Sequence, residues 1–379
     1  MFGRKSQKLL NRSSGGGVFI IFIELGLGGV PQKIVDIVNS LGRKHPDLPV
    51  DILLRRKAAY PVDFIITNKN VKVWVYPEFI PIKIPFLFPT FVLYHTWRLQ
   101  PRSILSFLEL AAWAAVYAKL ILFWRKIKVV VSHDNYASTV ISGNRFSPVR
   151  HKLIELLYPL ANVIFTCSQA TKLDLVRNFG LAQNKVFVVP NWTRFTDRNI
   201  AKRKKKYDLI YAGRLDKLKN VAFLLRGMKK IIKARPQTSL LLVGDGDQRK
   251  ELEDYVQDNG LNRNVSFYGL TSDVSLLLSQ SRVFVFSPDP YSEGFPLAIL
   301  EAMVAQIPVL TSRFAGVSDF LKDQVNGFIF DSLDDFVQKS IWLLDHQEDC
   351  YDVVQKAYEL VRQKHSPTNI DIYLRALGR

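Results

Sequence analysis

The sequence contains few cysteines, and this limits the classes of protein to which it can belong. Cys167 and Cys350 lie far apart, and neither belongs to a CxxC motif or to a cluster with histidines. Neither a disulfide framework nor a zinc site is therefore indicated, and we expect a reducing, cytoplasmic location. With 379 residues, of which 48% are hydrophobic and 23% are charged, the chain is long enough for two folded domains.

The sequence also lacks an uncharged apolar run of about 18 to 20 residues, so a membrane-spanning helix is not predicted. The nearest approach, Ser103 to Trp124, is interrupted by Glu109 and Lys119. We interpret this segment as a buried helix of a domain. The alternative is a helix with one face lying on a bilayer.

The N-terminus resembles a signal peptide, because a basic segment precedes an apolar run. However, the run from Val18 to Ile23 has only six residues before Glu24, and no small-residue cleavage site accompanies it. We therefore predict that residues 1–15 form a disordered basic tail. The apolar run is predicted to be the first buried strand of a parallel sheet.

Positive charge is concentrated in the first half of the chain. The net charge is +18; residues 1–190 carry 25 Lys and Arg against 10 Asp and Glu, whereas residues 191–379 carry 27 against 24. Basic surfaces of this kind bind anionic lipid headgroups, nucleic acid or phosphorylated substrates. Because no nucleic-acid-binding motif occurs, we expect no nucleic acid partner. We hypothesise instead that the N-terminal domain associates peripherally with an anionic membrane.

Apolar β-rich runs alternate with helical patterns along the chain, which predicts two parallel α/β units. We place one Rossmann-like domain at residues 16–197 and a second at residues 208–350. Residues 198–207 are dense in positive charge, and we interpret them as an exposed linker rather than a nucleic-acid patch. We expect the helices of residues 351–379 to cross back to the first domain.

Charged residues and glycines follow the predicted strands of the second domain. Ligands of open parallel sheets bind at these strand ends. Arg214 and Lys219 follow one strand and offer charge-assisted hydrogen bonds to a diphosphate. Gly244 and Gly246 follow the next strand, in a tight turn where backbone approaches a ligand closely.

The segment EGFPLAILE, residues 293–301, combines two acidic residues with a helix start. Pro296 fits the first helical position, so the backbone N–H groups around it are predicted to form an anion cradle. Glu301 is expected to point back toward the same end, because helical side chains tilt toward the N-terminus. With Glu293 in the preceding loop, two carboxylates flank one phosphate-sized site and can accept hydrogen bonds from sugar hydroxyls.

In this order, the motifs resemble the retaining glycosyltransferases of GT-B fold known as family four, or group 1. The resemblance implies an α/β chain of two Rossmann-like, doubly wound parallel-sheet domains that face a central cleft. It is carried by TCSQATKLDL (166–175), VVPNW (188–192), GRLDKLKN (213–220), VGDGDQRKELE (243–253), SEGFPLAILEAMVAQIPVLTS (292–312) and VNGFIF (325–330).

The resemblance also implies roles for individual residues. Arg214 and Lys219 would bind the donor diphosphate and stabilise it as it leaves, Glu301 would hold the ribose hydroxyls, and Glu293 would contact the transferred sugar. We favour Glu293 as a positioning group over Glu293 as the nucleophile. The implied catalytic residues are Glu293, His133, Arg214 and Lys219, and the acceptor-side residues are Gly28, Gly29 and His133. The implied donor-binding residues are Arg214, Lys219, Gly244, Gly246, Glu293, Gly294, Phe295, Pro296, Leu297 and Glu301.

Two features of the sequence have alternative interpretations. Asp245-Gly-Asp247 resembles the metal-binding DxD of the other major glycosyltransferase fold, but the cations of Arg214 and Lys219 are available to neutralise the diphosphate. We therefore expect no metal and no other cofactor. His133 is either a structural histidine at a strand end or an acceptor-site residue, and the resemblance favours the second.

The sequence departs from the family pattern at two places. Asn220 stands where glycine is common, and asparagine tolerates both a helix start and a left-handed turn. Residues 315–319, AGVSD, stand where the family has Gly-Gly-x-x-Glu.

The leading hypothesis is a retaining glycosyltransferase that moves a hexose or N-acetylhexosamine from a UDP- or GDP-linked sugar to a saccharide acceptor. We expect the acceptor to be lipid-linked, at the cytoplasmic face of a membrane, in polysaccharide or glycan biosynthesis. One alternative is a GT-B-fold sugar-nucleotide epimerase, which needs no acceptor. A non-catalytic basic binding module is a third interpretation.

Overall fold

The protein is described by a computed structural model that covers residues 16–25, 28–56, 66–77, 87–141, 147–193 and 204–379. The predicted tail, residues 1–15, and linker residues 198–203 lie outside the described residues. No helix in the described ranges combines the length and the apolar character needed to cross a bilayer.

Seven strands from the described part of the first half form one parallel sheet in the order β3-β2-β1-β4-β5-β6-β7. Its inner strands are short and mostly buried, as a sheet covered by helices requires, whereas the two edge strands are partly exposed. The elements are β1 (Val18–Phe22), α1 (Gly29–Lys44), β2 (Val50–Leu54), β3 (Val71–Val75), α2 (Leu87–Leu99), β4 (Ser103–Phe107), α3 (Leu108–Ile121), β5 (Lys128–Ser132), α4 (Ala137–Ile141), α5 (Ser147–Leu157), β6 (Val163–Thr166), α6 (Gln169–Phe179) and β7 (Val186–Val188).

The second half repeats the plan, with six strands in the order β10-β9-β8-β11-β12-β13 among the described residues. Two Rossmann-like, doubly wound parallel sheets are therefore present, as the sequence predicts. The elements are β8 (Tyr207–Ala212), α7 (Val221–Ala234), β9 (Leu240–Val243), α8 (Arg249–Asp258), β10 (Val265–Gly269), α9 (Val274–Ser279), β11 (Ser281–Phe286), α10 (Leu297–Val304), β12 (Val309–Ser312), β13 (Phe328–Phe330), α11 (Leu333–Asp345), α12 (Tyr351–Lys364) and α13 (Ile370–Ala376).

The interpretation of Ser103 to Trp124 as one helix is wrong for its first five residues. They form β4, which pairs with β1 on one side and β5 on the other and is buried throughout. Leu108, at φ 66°, turns the chain directly from β4 into α3. A strand buried on both faces is a continuous apolar run, so its hydropathy does not distinguish it from a buried helix.

The domain boundaries also differ in detail from those expected. Tyr207, assigned to the linker, is the first residue of β8. Helix α12 packs against α10 in the second domain, whereas α13 packs against α1 in the first. The chain therefore crosses between domains after Lys364 rather than at residue 351.

A buried cation ties α13 to the first domain. Lys33 in α1 forms an ion pair with Asp134 at 2.9 Å, and its ammonium lies 5.6 Å from the ring centre of Trp192 and 5.7 Å from that of Tyr373. Burial opposes the charge, but Asp134 and Tyr373 outweigh it and raise the pKa of Lys33. The Tyr373 hydroxyl lies 2.8 Å from the Ser132 hydroxyl at the end of β5.

We predict that Tyr373→Ala destabilises the first domain by about 3–5 kcal/mol, because a fully buried aromatic ring is removed from around Lys33. Urea unfolding followed by tryptophan fluorescence measures the change. Tyr351→Ala is the control, since Tyr351 is exposed and its loss is expected to change the free energy of unfolding by less than about 0.5 kcal/mol. Equal effects of the two substitutions would contradict a structural role for α13.

Candidate functional site

The loops after β8 and β11 meet where the strand order of the second sheet reverses, because these two strands are neighbours although they are not consecutive. Such switch points are the usual ligand sites of open parallel sheets. The loops are joined by two hydrogen bonds to the Leu218 carbonyl, one from the Asp289 N–H at 3.0 Å and one from the Ser292 hydroxyl at 2.9 Å. The loop holding Arg214 and Lys219 is thus fixed against the loop holding Glu293.

The approach to α7 depends on a left-handed residue. Asn220 adopts φ 49° and ψ 43° immediately before the helix, which shows that asparagine supplies the left-handed turn here. The Asp216 carboxylate accepts a hydrogen bond from the Lys219 N–H at 3.1 Å and completes the turn. The hydrogen-bonded turn therefore fixes the backbone of Lys219 near the carboxyl end of β8.

Lys219 and Glu293 form a largely buried ion pair. Burial, and then the guanidinium of Arg214, lower the pKa of Lys219 to about 8, while Asp216 acts in the opposite direction. The contact with Glu293 favours the charged ammonium. The side chain of Arg214 is 66% exposed and forms an ion pair with Asp216 at 2.9 Å. One cation is thus held inside the site and a second lies at its rim.

Helix α10 begins one residue later than the sequence indicates. Pro296 has φ −75° and ψ 122°, so it caps the helix, and Leu297 is the first helical residue. Proline cannot donate a backbone hydrogen bond at either position. No atom of the described residues accepts a hydrogen bond from the backbone N–H groups of Gly294, Phe295 or Leu297. These donors, at the positive end of an eight-residue helix, can bind an anion.

The Phe295 ring packs away from this helix end. Its centroid lies 4.2 Å from that of Phe320 and 4.9 Å from that of His365. Phe295 can therefore contact an anion at this helix end through its backbone N–H and not through its ring.

Glu301 lies one turn into α10 and is partly buried. Burial raises the pKa of its carboxyl to about 7. No hydrogen bond or ion pair links its carboxylate to another described residue. Glu301 is thus a partly buried acid without a partner among the described residues, one helical turn from the free N–H groups.

The glycines after β9 serve the packing of the chain itself. An added Cβ at Gly244 would lie 1.9 Å from the Gly213 carbonyl oxygen, and one at Gly246 would lie 2.3 Å from that of Leu215. The missing side chains let this turn press against the Arg214 loop. The nearby Asp245 carboxylate pairs with Arg249 at 3.1 Å. The described residues contain no group of three or more His, Cys, Asp or Glu that could hold a metal ion.

His133 follows β5 and is fully buried. Its Nδ1 lies 2.8 Å from the Tyr158 hydroxyl, and its Nε2 has no hydrogen-bond partner among the described residues. Burial lowers the pKa of the ring to about 4, so His133 is neutral. The side chain has no surface to offer an acceptor in this arrangement.

The two glycines predicted for the acceptor side open α1. Gly28 is the N-terminal cap of the helix at φ 148°, and Gly29 is its first residue. An added Cβ at Gly29 would lie 3.4 Å from Leu297 of the second domain. This loop of the first domain therefore lies directly opposite the start of α10.

The two domains approach each other closely at Gly294. An added Cβ there would lie 2.6 Å from the Asp134 carbonyl oxygen and 2.9 Å from Cys167 Sγ. A neighbouring contact joins the Asn191 amide, as donor, to the Phe295 carbonyl at 3.0 Å. The segment with the free N–H groups is thus also the segment that contacts the first domain.

Asp319 forms a second link between the domains, which sequence reasoning missed. Its carboxylate accepts hydrogen bonds from the N–H groups of Gln169, at 2.5 Å, and Ala170, at 3.4 Å. These are the first residues of α6, so a carboxylate of one domain occupies a helix N-terminus of the other. Burial raises the pKa of Asp319, partly offset by these hydrogen bonds. The only signal in the sequence was that residues 315–319 depart from the pattern implied by the resemblance.

His365 and Asn191 are further residues without an assigned role in the sequence. The His365 Nδ1 lies 2.8 Å from the Asn191 carbonyl oxygen, and the Thr193 N–H donates to the His365 carbonyl at 3.1 Å. These two contacts join the segment after β7, where the chain leaves the first domain, to the segment after α12, where the chain returns to it.

Comparisons with known proteins agree with this architecture. Residues 193–360 match the family described as glycosyl transferases group 1, and residues 28–194 match glycosyltransferase family 4. The crystal structure of Anabaena Alr3699/HepE in complex with UDP and glucose has the same fold, with a TM-score of 0.78, 17% identity, and coverage of 95% of this chain and 98% of that one.

Two curated relatives are similar over part of the chain. An uncharacterized glycosyltransferase of Methanocaldococcus jannaschii is 30% identical over 43% of this chain and 45% of its own length. A Campylobacter jejuni protein is 26% identical over 59% of this chain and 61% of its own length; its name is N-acetylgalactosamine-N,N'-diacetylbacillosaminyl-diphospho-undecaprenol 4-alpha-N-acetylgalactosaminyltransferase. The chain thus spans about half to three fifths of the length of these relatives.

We predict that Gly294→Ala separates the domains, because its methyl group would overlap the Asp134 carbonyl. Small-angle X-ray scattering should show a larger radius of gyration than for the wild type. Gly16→Ala is the matched control, since an added Cβ there meets nothing within 4 Å. An unchanged radius for Gly294→Ala would show that this contact does not set the domain arrangement.

Proposed function

The chain belongs to the group 1 glycosyltransferases, and on this premise we propose that it transfers a hexose or N-acetylhexosamine from a UDP- or GDP-linked sugar to a saccharide acceptor. We further propose that the acceptor is lipid-linked and is used at the cytoplasmic face of a membrane. The C. jejuni relative supports the acceptor class, because its name includes a diphospho-undecaprenol.

One observation carries the proposal. Lys219, Glu293, the free N–H groups at the start of α10 and Glu301 come together at the switch point of the second sheet. A nucleotide diphosphate sugar has groups complementary to each of them. The diphosphate matches the ammonium and the N–H groups, the ribose hydroxyls match Glu301, and the hydroxyls of the transferred sugar match Glu293.

We propose that anomeric configuration is retained, with the acceptor entering on the face that the diphosphate leaves. The bond between the anomeric carbon and the diphosphate oxygen breaks, and the acceptor oxygen forms the new bond. Its proton passes to the departing diphosphate. The residues of this chain act by stabilising the charge that develops on that diphosphate.

The ion pair bears on the role of Glu293. A carboxylate in contact with the Lys219 ammonium is a weak nucleophile, because the cation stabilises its charge. This supports Glu293 as the residue that positions the sugar. Lys219 and Arg214 also supply the positive charge that a metal would otherwise provide, so we propose a metal-independent reaction.

The function is tested by incubating the chain with UDP-glucose, UDP-N-acetylglucosamine or GDP-mannose, each with and without an undecaprenyl-diphosphate saccharide. Transfer of sugar to the lipid-linked saccharide supports the proposal. Conversion of the donor alone to its epimer would identify an epimerase. Absence of nucleotide binding by calorimetry would identify a non-catalytic module.

We predict that Lys219→Met lowers kcat by about 10²–10³-fold, since it removes a preorganised cation from the leaving group. Lys217→Met is the matched control, because Lys217 lies in the same turn but is exposed. Its kcat should equal that of the wild type. Equal losses in the two variants would show that the whole turn was disturbed and would remove the specific role of Lys219.

We predict that donor affinity falls about tenfold between pH 7.5 and pH 6. The Glu301 carboxyl has a pKa of about 7 without ligand, and hydrogen bonds from the ribose would lower that pKa. The affinity for the donor is therefore highest above pH 7, where the Glu301 carboxyl is ionised, and it decreases as the pH falls below 7. Calorimetry with UDP-glucose is suitable, because its diphosphate does not titrate in this range.

The matched pair for this measurement is Glu301→Gln and Glu251→Gln. The first should bind with an affinity that no longer changes with pH, since glutamine does not titrate. The second replaces an acid in the first turn of α8 and should keep the wild-type dependence. A pH dependence that survives in Glu301→Gln would assign the titration to another group.

A further inference from the structure

The first domain exposes large apolar side chains around the ends of α2 and α3. Trp97 near the end of α2 is 55% exposed, and Phe123 and Trp124, directly after α3, are 75% and 59% exposed. Leu120 and Ile121 in the last turn of α3 are also exposed. We call these five residues the aromatic face. Contiguous exposed apolar surface on a soluble fold marks an interaction site.

The aromatic face is continuous. Helices α2 and α3 pack against each other, and the Arg125 guanidinium donates to the Trp97 carbonyl at 3.1 Å. The Phe123 and Trp124 rings are in edge contact, with centroids 5.3 Å apart. The members therefore belong to one surface held together by the two helix ends.

The segment of the chain that carries the aromatic face is rich in basic residues. Between residues 88 and 133 the chain has six Lys or Arg and a single acidic residue, Glu109, at the opposite end of α3. The Glu109 carboxylate is already paired with Arg150. The six basic residues are Arg98, Arg102, Lys119, Arg125, Lys126 and Lys128.

The aromatic face lies at the opposite edge of the sheet from the site. Helix α3 starts at the carboxyl end of β4 and runs back, so Phe123 and Trp124 lie near the start of β5. Among the described residues, the contacts with the second domain reported above lie beyond the carboxyl ends of the strands, for example at Gly29, Asp134 and Gln169. A partner on the aromatic face therefore leaves the site open.

We propose that the aromatic face docks the first domain on an anionic lipid bilayer. Tryptophan and phenylalanine rings enter the headgroup region, and the ammonium and guanidinium groups of the same segment bind lipid phosphates. The charge of the surface argues against a second copy of this chain, because a symmetric contact would bring two basic surfaces together. The inference deepens the proposed function, on whose lipid-linked acceptor it rests.

The test is sedimentation of the full chain with vesicles of phosphatidylcholine alone or with one third phosphatidylglycerol. We expect binding to the anionic vesicles that weakens as salt increases. Phe123→Ala/Trp124→Ala and Lys126→Gln/Lys128→Gln should each weaken that binding by about tenfold or more. Tyr351→Ala is the matched control, since it removes a ring that is 66% exposed in the second domain.

Two further measurements make the result decisive. UDP-glucose affinity and the melting temperature should be the same in all variants, which separates failure of docking from failure of donor binding or folding. Wild-type chain that does not sediment with anionic vesicles would overturn the inference. A wild-type dimer that Phe123→Ala/Trp124→Ala converts to a monomer, without vesicle binding, would assign the aromatic face to a second copy.

Discussion

A backbone contact between the two domains constrains the rest of the structure. Gly294 lies so close to the Asp134 carbonyl and to Cys167 that a single methyl group does not fit between them. The same segment carries Glu293 and the free N–H groups at the start of α10. The contact between the domains therefore also fixes the segment that forms the site. The hydrogen bonds of Asp319 to the start of α6 strengthen the same contact.

The site contains charges that its own residues satisfy only in part. Lys219 pairs with Glu293, yet burial and Arg214 lower the pKa of Lys219. Glu301 is partly buried and has no partner among the described residues, and burial raises the pKa of its carboxyl. A polyanion with hydroxyl groups would relieve each of these costs, because it supplies negative charge to Lys219 and hydrogen-bond donors to Glu301. Perturbed groups of this kind are typical of binding and catalytic sites.

The sequence predicted the doubly wound sheets and the strand ends that bear charge, because apolar periodicity and strand-end position are local features. It missed β4, because a fully buried strand and a buried helix have similar hydropathy. The turn from β4 into α3 depends on one residue, Leu108, at positive φ. The assignment of His133 to the acceptor side stays a prediction; in the structure the ring is buried against Tyr158. Contacts across the domain boundary, such as that of Asp319, depend on how the domains are placed, which no local pattern encodes.

Hydrogen–deuterium exchange with and without a nucleotide sugar tests most directly whether one site is built from both domains. We expect the donor to protect residues 213–220 and 292–301 of the second domain. It should also protect residues 133–136 and 167–171 of the first, because the Gly294 contact joins them to the donor segment. Protection confined to the second domain, or found in neither, would contradict a site that closes through this contact.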